Sequence, residues 1–344
     1  MTQELALVEE RMRTLLEQQA AHFVHSDKSF PLYQALGYHL GWFDERLRPT
    51  GTSAGKRFRP LLCLRSCYAV SGSAEQAVAI AAAIELLHNF TLIHDDIQDR
   101  SETRRHRPTL WALWGDAQAI NAGDALFALS QLAALNAAER EERPRGIEIV
   151  RRFNETTLRI VEGQVLDLSF EARDDVSTAE YLLMIERKTA ALTAYAAWAG
   201  ATVGGGAPET AERFADVGRV LGLGFQVQDD YLGVWGDPER TGKARGDDLR
   251  RRKKSLPVIA LIERVSPAER GWIRHAWGER DELDTATVER LLERLDYYGI
   301  RDIVRATVAR YHDEAQRLLA GMNLPSERLE PLRQLVEQLA AREA

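Results

Sequence analysis

Two pairs of adjacent aspartates, each at the carboxyl end of an apolar segment, are the residues of this sequence best suited to chemistry. Asp95 and Asp96 end the segment AEQAVAIAAAIELLHNFTLIHDD, and Asp99 follows one helical turn after Asp95, on the same predicted helix face. Asp229 and Asp230 hold a similar position after ERFADVGRVLGLGFQVQ. Like charges at the negative end of a helix are costly unless a cation is bound, and magnesium is the natural candidate. Taken alone, either pair would favour a solvated helix end over a metal site.

Three basic clusters could supply the phosphate ligands that a carboxylate-bound magnesium usually requires. Lys56 and Arg59, three residues apart, open a predicted helix and would face the same way near an amino terminus that favours anions. Arg104 and Arg105 directly follow the first acidic motif and could clamp phosphate oxygens with paired hydrogen bonds. The third cluster lies within residues 236–257, where we interpret the run of five basic residues as a solvated surface.

Helices must position these residues, because apolar residues recur at three- and four-residue spacing through most of the chain. We find no series of short alternating segments bounded by turn dipeptides, so the sequence predicts an all-α protein. Helices are expected over approximately 4–24, 31–47, 56–70, 75–100, 116–140, 145–172, 177–203, 208–235, 255–264, 268–280, 286–296, 299–320 and 326–342. No breaker between them resembles an interdomain linker, and we expect residues 1–344 to form a single domain.

Composition places the chain among ordinary globular proteins, with 344 residues of which 45% are hydrophobic and 28% charged. The net charge of -7 argues against general binding to nucleic acid or to anionic membranes. Cys63 and Cys67, four residues apart, lack a second pair for a zinc site and are expected to be buried thiols. The acidic first residues and the lack of an eighteen-residue apolar run predict a cytoplasmic protein with no stable membrane anchor.

Taken together, the motifs resemble the trans-isoprenyl diphosphate synthases, the polyprenyl synthetase family. The resemblance covers roughly residues 31 to 260, with residues 261–344 as C-terminal helices of the same domain. It implies an all-α, isoprenoid-synthase-type helical bundle around a deep central cavity, usually a homodimer, with the two acidic motifs facing each other across the cavity mouth. The motifs in family order are GKRFRP (55–60), DDIQD (95–99), RRHRPT (104–109), EGQVLDL (162–168), Lys188-Thr189, FQVQDD (225–230) and GK (242–243).

The resemblance also implies the reaction. Family members condense isopentenyl diphosphate with an allylic diphosphate, head to tail, to give an all-trans prenyl diphosphate. Magnesium would neutralise the leaving diphosphate, and the isopentenyl double bond would attack the allylic carbocation. The proton would pass to the released pyrophosphate. The implied metal-binding residues are Asp95, Asp96, Asp99, Asp229 and Asp230, of which Asp96 would support its neighbours and Asp230 would lie close by.

Other family positions assign the substrate ligands. The implied isopentenyl diphosphate pocket consists of Lys56, Arg59, His88 and Arg105. The implied ligands of the allylic diphosphate are Arg104, Lys188 and Lys243. Thr189 and Gln226, which complete the implied catalytic set with Lys188 and Lys243, would present oxygen dipoles to the carbocation. His94 is interpreted as a hydrogen-bonded core histidine, and Trp111 and Trp114 as packing residues.

Product length should depend on the residues that precede the first acidic motif. Leu87, Phe90 and Thr91 lie eight, five and four residues before Asp95, at spacings compatible with one wall of the cavity. By resemblance, the bulky Phe90 and the compact DDIQD motif favour a C20 product, geranylgeranyl diphosphate. Farnesyl diphosphate or a longer polyprenyl diphosphate is the alternative, and Phe90 could equally be ordinary core.

A terpene cyclase and a non-catalytic regulatory subunit are the alternative functions, and the second acidic motif departs from the family pattern at one position. A terpene cyclase would share the bundle and the magnesium site but should lack the isopentenyl pocket, whereas this sequence retains Lys56, Arg59 and Arg105. A non-catalytic regulatory subunit would be expected to lack the first acidic motif. Gly233 stands where the family's second motif commonly carries a third aspartate, so the coordination scheme on that wall could differ.

Overall fold

The all-α prediction is confirmed. The computed structural model describes residues 3–23, 29–50, 55, 57–237, 245–278 and 283–340. Their helices are α1 (Gln3–Ala20), α2 (Leu32–His39), α3 (Phe58–Ser71), α4 (Val78–Gln98), α5 (Leu110–Ala138), α6 (Arg143–Glu171), α7 (Thr178–Ile185), α8 (Ala191–Val203), α9 (Pro208–Trp235), α10 (Asp247–Arg250), α11 (Leu256–Arg264), α12 (Pro267–Gly278), α13 (Thr285–Tyr297), α14 (Ile300–Ala320) and α15 (Ser326–Ala340). A 3-10 turn (Glu75–Ala77) precedes α4, and a π-helical turn (Glu186–Ala190) joins α7 to α8.

Several local features differ from the predicted helices, among them the π-helical turn that interrupts the helix expected over 177–203. The helix expected over 31–47 ends at His39, because Gly41 adopts a positive φ of 88° and Phe43 pairs with Pro49 in an antiparallel bridge. Helix α5 begins at Leu110, before the predicted 116, and is kinked at Gly115. An antiparallel hairpin of β1 (Thr103–Arg104) and β2 (Arg107–Pro108) was not predicted.

The described residues form two compact units. Unit 1 comprises Met1–Glu155 with Ala196–Ala211, and unit 2 comprises Thr156–Tyr195 with Glu212–Ala344. Each acidic motif belongs to one unit, the first to unit 1 and the second to unit 2. The expectation of one domain over residues 1–344 stays a prediction.

Unit 1 is built around α4, which packs mainly against α5 and also against α1 and α3. Its run of alanines and isoleucines between residues 79 and 84 is buried, since small side chains let neighbouring helices approach closely. The segment Glu75–Gln98 is long and apolar enough to cross a membrane by composition, but 67% of its most apolar window is buried inside the protein. Cys63 and Cys67 are buried free thiols, as predicted.

Unit 2 has its own apolar core, to which helices α7, α9 and α11 to α14 contribute. Glycines allow α9 to approach its neighbour. A Cβ on Gly218 would lie 2.8 Å from the Cα of Ala194, and a Cβ on Gly222 would lie 2.6 Å from the Cα of Ala190. This close approach holds the carboxyl-terminal half of α9, with the second acidic motif, against the π-helical turn.

Candidate functional site

The first acidic motif ends α4, as predicted. Asp95 is half-buried and Asp99 is exposed, and the backbone N–H of Asp99 donates to the carbonyl oxygen of Asp95 at 2.8 Å. Asp96 differs from both because it is only 3% exposed. Arg104 Nε donates to both of its carboxylate oxygens, at 2.9 and 3.0 Å. The accessible carboxylates of this motif are therefore Asp95 and Asp99, one turn apart.

The Asp96–Arg104 pair fixes the hairpin to the end of α4. Burial raises the pKa of Asp96, and the Arg104 guanidinium opposes that shift by favouring the carboxylate. Because Arg104 presents a planar fork, the bidentate contact sets its orientation as well as its position. Asp96 thus holds the hairpin to the end of α4 from inside, and its supporting role in metal binding stays a prediction.

Residues from two motifs and His88 of α4 meet in unit 1. Arg59 Nη1 lies 3.2 Å from His88 Nε2, and since arginine can only donate, the histidine nitrogen accepts. Burial and the nearby Arg59 charge lower the pKa of His88 well below its usual value, so this imidazole is neutral at physiological pH. On the other side, a Cβ on Gly55 would lie 2.8 Å from the guanidinium of Arg105. The GKRFRP and RRHRPT segments are therefore neighbours.

The hairpin turn presents Arg105 in a strained conformation. Arg105 and His106, the two residues between β1 and β2, have φ angles of 54° and 62°. A two-residue hairpin favours positive φ at both turn positions, which is normally met by Asn or Gly. Each left-handed non-glycine residue costs roughly 1–2 kcal/mol, and such strain is often retained at functional sites.

A cavity of about 210 Å³ lies between α2 and the hairpin and has a strongly basic lining. Arg107 closes one side, where its Nη1 and Nη2 donate to the carbonyl oxygens of Tyr38 and Phe43. The charged and ionisable lining residues are Tyr38, His39, Asp96, Arg104, Arg105 and Arg107. Three guanidinium groups against one carboxylate make this cavity suited to an anion.

The second acidic motif, on α9, also has one accessible and one internal carboxylate. Asp229 is half-buried, whereas Asp230 is 1% exposed. Asp230 Oδ2 accepts from the Tyr181 hydroxyl at 2.6 Å and from the Leu256 backbone N–H at 3.0 Å. Burial raises the pKa of Asp230. Its network makes Asp230 an anchor for the end of α9, and Asp229 the carboxylate of this pair that a ligand can reach.

The π-helical turn places Lys188 and Thr189 near the second acidic motif. Lys188 Nζ donates to Asp167 Oδ2 at 2.6 Å, and Thr189 Oγ1 donates to Gln226 Oε1 at 2.9 Å. Gln226 Nε2 in turn donates to Asp230 Oδ1 at 3.1 Å. A π-turn adds one residue to a helical turn and is frequent at functional sites. Lys188, Thr189 and Gln226 are thus brought together, as the sequence motifs suggested.

Lys253 lies beside the second acidic motif, and the sequence interpretation gave it no role. Its ammonium lies 3.9 Å from Asp230 Oδ1 and 3.9 Å from Asp248 Oδ2, and the Asp248 charge raises the pKa of this lysine. Arg252 Nε also donates to the carbonyl oxygen of Ala276. The interpretation of the run 250–254 as solvated surface holds for Arg251 and Lys253, which are exposed, but not for Arg250, Arg252 and Lys254, which are half-buried. Asp167, within the EGQVLDL motif, was likewise given no role.

The residues expected to limit product length lie on α4, before the first acidic motif. Leu87 is buried, and the half-buried Phe90 stacks edge-on against His94 at 4.8 Å and at a tilt against Phe127 of α5 at 5.3 Å. The hydroxyl of half-buried Thr91 donates to the backbone oxygen of His88. Phe90 therefore belongs to an aromatic cluster between α4 and α5. His94 packs in this cluster but is half-buried, with its Nε2 3.6 Å from Asp124 Oδ1, and so is not the hydrogen-bonded core histidine expected.

Trp111 and Trp114 are packing residues, as predicted. Trp111 donates its ring N–H to the carbonyl oxygen of Ser101, and Trp114 contacts Phe30 and Tyr38 edge-on. Neither residue belongs to the acidic or basic groups described above.

Two predicted ligands, Lys56 and Lys243, lie outside the described residues. Among the residues that are described, no three His, Cys, Asp or Glu side chains converge on a point that could hold a metal. Asp95 with Asp99 still fits magnesium, which keeps several waters and commonly completes its coordination with substrate phosphates. The site can therefore offer carboxylates to a hydrated cation and guanidinium groups to phosphates.

Comparison with known proteins accounts for this combination. The polyprenyl synthetase family model matches residues 41–295. The chain is 38% identical over 312 residues to (2E,6E)-farnesyl diphosphate synthase of Mycobacterium tuberculosis, covering 90% of this chain and 86% of that protein. It is 41% identical over 238 residues to geranylgeranyl diphosphate synthase of the same species, covering 69% and 67%. The crystal structure of polyprenyl synthetase from Streptomyces coelicolor A3(2) superposes with a TM-score of 0.87 at 33% identity, covering 98% and 97%.

Proposed function

Because the chain belongs to the polyprenyl synthetase family and is a trans-prenyltransferase, we propose that it makes a short-chain prenyl diphosphate in a magnesium-dependent reaction. It condenses isopentenyl diphosphate with an allylic diphosphate. The observation that carries this proposal is the face of α4 that bears both His88 and Asp95. These residues are two helical turns apart, or about 10 Å along the axis, which separates an anion pocket from a metal-binding carboxylate by roughly the length of a small substrate.

The isopentenyl diphosphate end of the reaction rests on unit 1. Arg59 and Arg105 donate to the diphosphate, and the neutral His88 donates through Nδ1 while its Nε2 accepts from Arg59. Lys56 adds a fourth donor by family resemblance. A terpene cyclase has no use for this second diphosphate site, so the cluster disfavours that alternative.

The allylic diphosphate is ionised with the help of both acidic motifs. Asp95 and Asp99 of unit 1, and Asp229 of unit 2, would offer carboxylate oxygens to magnesium, which would supply positive charge to stabilise the diphosphate leaving group. By family resemblance, Arg104, Lys188 and Lys243 would hold its phosphate oxygens while the allylic C–O bond breaks. The hydroxyl oxygen of Thr189 and the carbonyl oxygen of Gln226 stabilise the carbocation. A new C–C bond forms from the isopentenyl double bond, and the proton leaves to the released pyrophosphate.

We propose geranylgeranyl diphosphate as the main product. The Phe90–Phe127 cluster supports a cavity of limited depth beside α4. Relatives named for the C15 and C20 products are similarly identical to this chain, at 38% and 41%, so farnesyl diphosphate is the second candidate. That the acidic motifs face each other across a cavity mouth, and that the protein is cytoplasmic, stay predictions.

A homodimer is also proposed. Helix α6 exposes apolar side chains at three- and four-residue spacing in unit 2, with Leu158 63%, Val161 47% and Val165 61% exposed. Such a stripe on one helix face is unfavourable in water, which supports its burial against a second copy. Sedimentation equilibrium tests this, and a monomer at micromolar concentration would contradict it.

The reaction is tested with purified protein, magnesium and isopentenyl diphosphate plus each of the C5, C10 and C15 allylic primers, with products sized by mass spectrometry. We expect a ladder that ends at C20 and disappears when EDTA removes the metal. A ladder ending at C15 would support a prenyl diphosphate synthase whose main product is farnesyl diphosphate. No elongation from any primer would overturn the proposed function and favour a cyclase or a non-catalytic subunit.

A further inference from the structure

Arg57, the arginine between the two basic residues of the GKRFRP motif that family resemblance assigns to substrate, is turned into the protein. Its side chain is 2% exposed, and its Nη1 donates to Glu85 Oε1 at 2.5 Å. Its Nη2 donates to Glu9 Oε1 at 2.8 Å and to the Leu40 carbonyl oxygen at 3.3 Å. We call Glu9, Arg57 and Glu85 the buried triad. A charge buried this deeply is stable only while its partners stay in place.

Each carboxylate of the buried triad is held by a second donor. Trp42 Nε1 donates to Glu9 Oε2 at 3.1 Å, and Asn89 Nδ2 donates to Glu85 Oε1 at 2.8 Å. The triad therefore connects α1, the segment after α2, the start of α3 and α4. These are otherwise separate segments of unit 1, and a change in any one member would shift the others.

The buried triad also fixes the backbone that leads into the anion pocket. Arg57 is the N-cap of α3 and has a left-handed conformation, with φ 47° and ψ 39°. Two residues later Arg59 reaches His88, which lies one turn after Glu85 on α4. The contacts Arg57–Glu85 and Arg59–His88 are thus successive links between the start of α3 and α4. The Glu85 charge also acts on Arg105, offsetting the burial that lowers the pKa of that guanidinium.

We propose that the buried triad is a positioning device for the isopentenyl diphosphate pocket, although none of its members touches substrate. It sets the left-handed backbone at Arg57 and so aims Arg59 at the diphosphate. The most remote member is Glu9, on a helix that the sequence analysis had not connected with the site. This inference rests on the proposed function for the identity of the ligand.

Equilibrium binding of isopentenyl diphosphate alone tests the proposal, because no turnover occurs without an allylic substrate. Glu9→Gln should raise its Kd about tenfold, as one weakened positioning contact would. Glu10→Gln, at the exposed neighbouring position of α1, is the matched control and should leave the Kd unchanged. A thio analogue of the allylic diphosphate, titrated with magnesium, should bind both variants within about twofold of the wild type.

Arg57→Lys provides a second test, because an ammonium group cannot bond two separate carboxylates in the geometry that the two Nη groups of a guanidinium allow. Arg57→Lys should also weaken the binding of isopentenyl diphosphate without weakening the binding of the allylic analogue. If both triad variants lower Tm while the Kd for isopentenyl diphosphate stays unchanged, the triad is only structural and the proposal is overturned. Failure of the proposed function would give a different result from failure of the triad proposal. In that case the wild-type protein itself would bind no isopentenyl diphosphate or would elongate no primer.

Discussion

The carboxylate of Asp248 lies directly over Gly233, in the space that the first side-chain carbon of any other residue at position 233 would take. Asp248 is 6% exposed and lies near the ammonium of Lys253. The family's second motif commonly has an aspartate at this position of α9. In this chain a carboxylate from the amino-terminal turn of α10 occupies the neighbouring volume instead, which gives the glycine a steric reason.

Restoring the family pattern alone should therefore harm the protein. Gly233→Asp would force a second carboxylate into contact with Asp248, and overpacking with like charges should lower the free energy of unfolding by about 2–3 kcal/mol. The double variant Gly233→Asp/Asp248→Ala removes the clash and should recover most of that loss. Urea denaturation of the single and double variants measures both effects. Full stability of the single variant would show that Asp248 moves aside freely.

A second prediction concerns the closeness of Gly55 and Arg105. Gly55→Ala places a methyl group 2.8 Å from the Arg105 guanidinium, at a backbone φ of 87° that disfavours alanine. The displaced Arg105 should raise the KM for isopentenyl diphosphate about tenfold or more, by loss of a charge-assisted hydrogen bond. Initial rates at saturating allylic substrate measure this.

Gly205→Ala is the matched control for that variant. Gly205 has a similar φ of 84°, but a Cβ there meets nothing within 4 Å. Both variants are destabilised by roughly 1–2 kcal/mol because alanine disfavours a positive φ, but only Gly55→Ala moves Arg105. Equal kinetic effects in the two variants would mean that backbone strain, and not the contact with Arg105, is responsible.

Sequence patterns anticipated the parts of the site that depend on helical period and motif order. Helix α9 spans Pro208–Trp235, matching the predicted 208–235, because an uninterrupted apolar period and clear breakers define both ends. The meeting of Arg59 with His88 followed from family motifs. The facing arrangement of the two acidic motifs had no such local signature and stays a prediction.

The features that were missed have physical reasons. The hairpin at Arg105 and His106 uses left-handed residues that are not turn formers, so no turn dipeptide marks it. The π-helical turn at Lys188 changes the helical period over only five residues, too few to register as a pattern. Glu85 did leave a signal that was not used. A lone carboxylate in an apolar helix must find a buried partner, and Arg57 is that partner.

A third prediction concerns acid stability. Burial, and after it the charge of Arg104, lowers the pKa of His39 to about 3, whereas an unfolded histidine titrates near 6.5. Between these two values the unfolded chain binds a proton that the folded protein does not. The free energy of unfolding should therefore fall as pH drops below about 6.5, by up to about 1.4 kcal/mol per pH unit for this residue.

Urea denaturation at pH 7.5 and pH 5.5 measures the slope. His39→Gln keeps a polar side chain without a titrating group, so the variant should lose less stability between the two pH values than the wild type. The burial of His88 lowers its pKa as well, so a residual slope remains in the variant. Identical slopes for the two proteins would show that His39 is protonated in the folded state.

The last prediction concerns the aromatic cluster that Phe90 forms with His94 and Phe127. Phe90→Ala removes a large ring beside α4, and the space can admit further isoprene units, so the product should lengthen by at least one C5 unit. Because Phe90 is only half-buried, the accompanying loss of stability should be modest, about 1 kcal/mol. Mass spectrometry of the products, started from the C15 primer, gives the length distribution. Phe23→Ala removes an exposed ring that contacts Tyr33, and it controls for aromatic truncation elsewhere in unit 1. If Phe90→Ala and Phe23→Ala both retain the wild-type product, Phe90 is ordinary packing and chain length is limited by other residues.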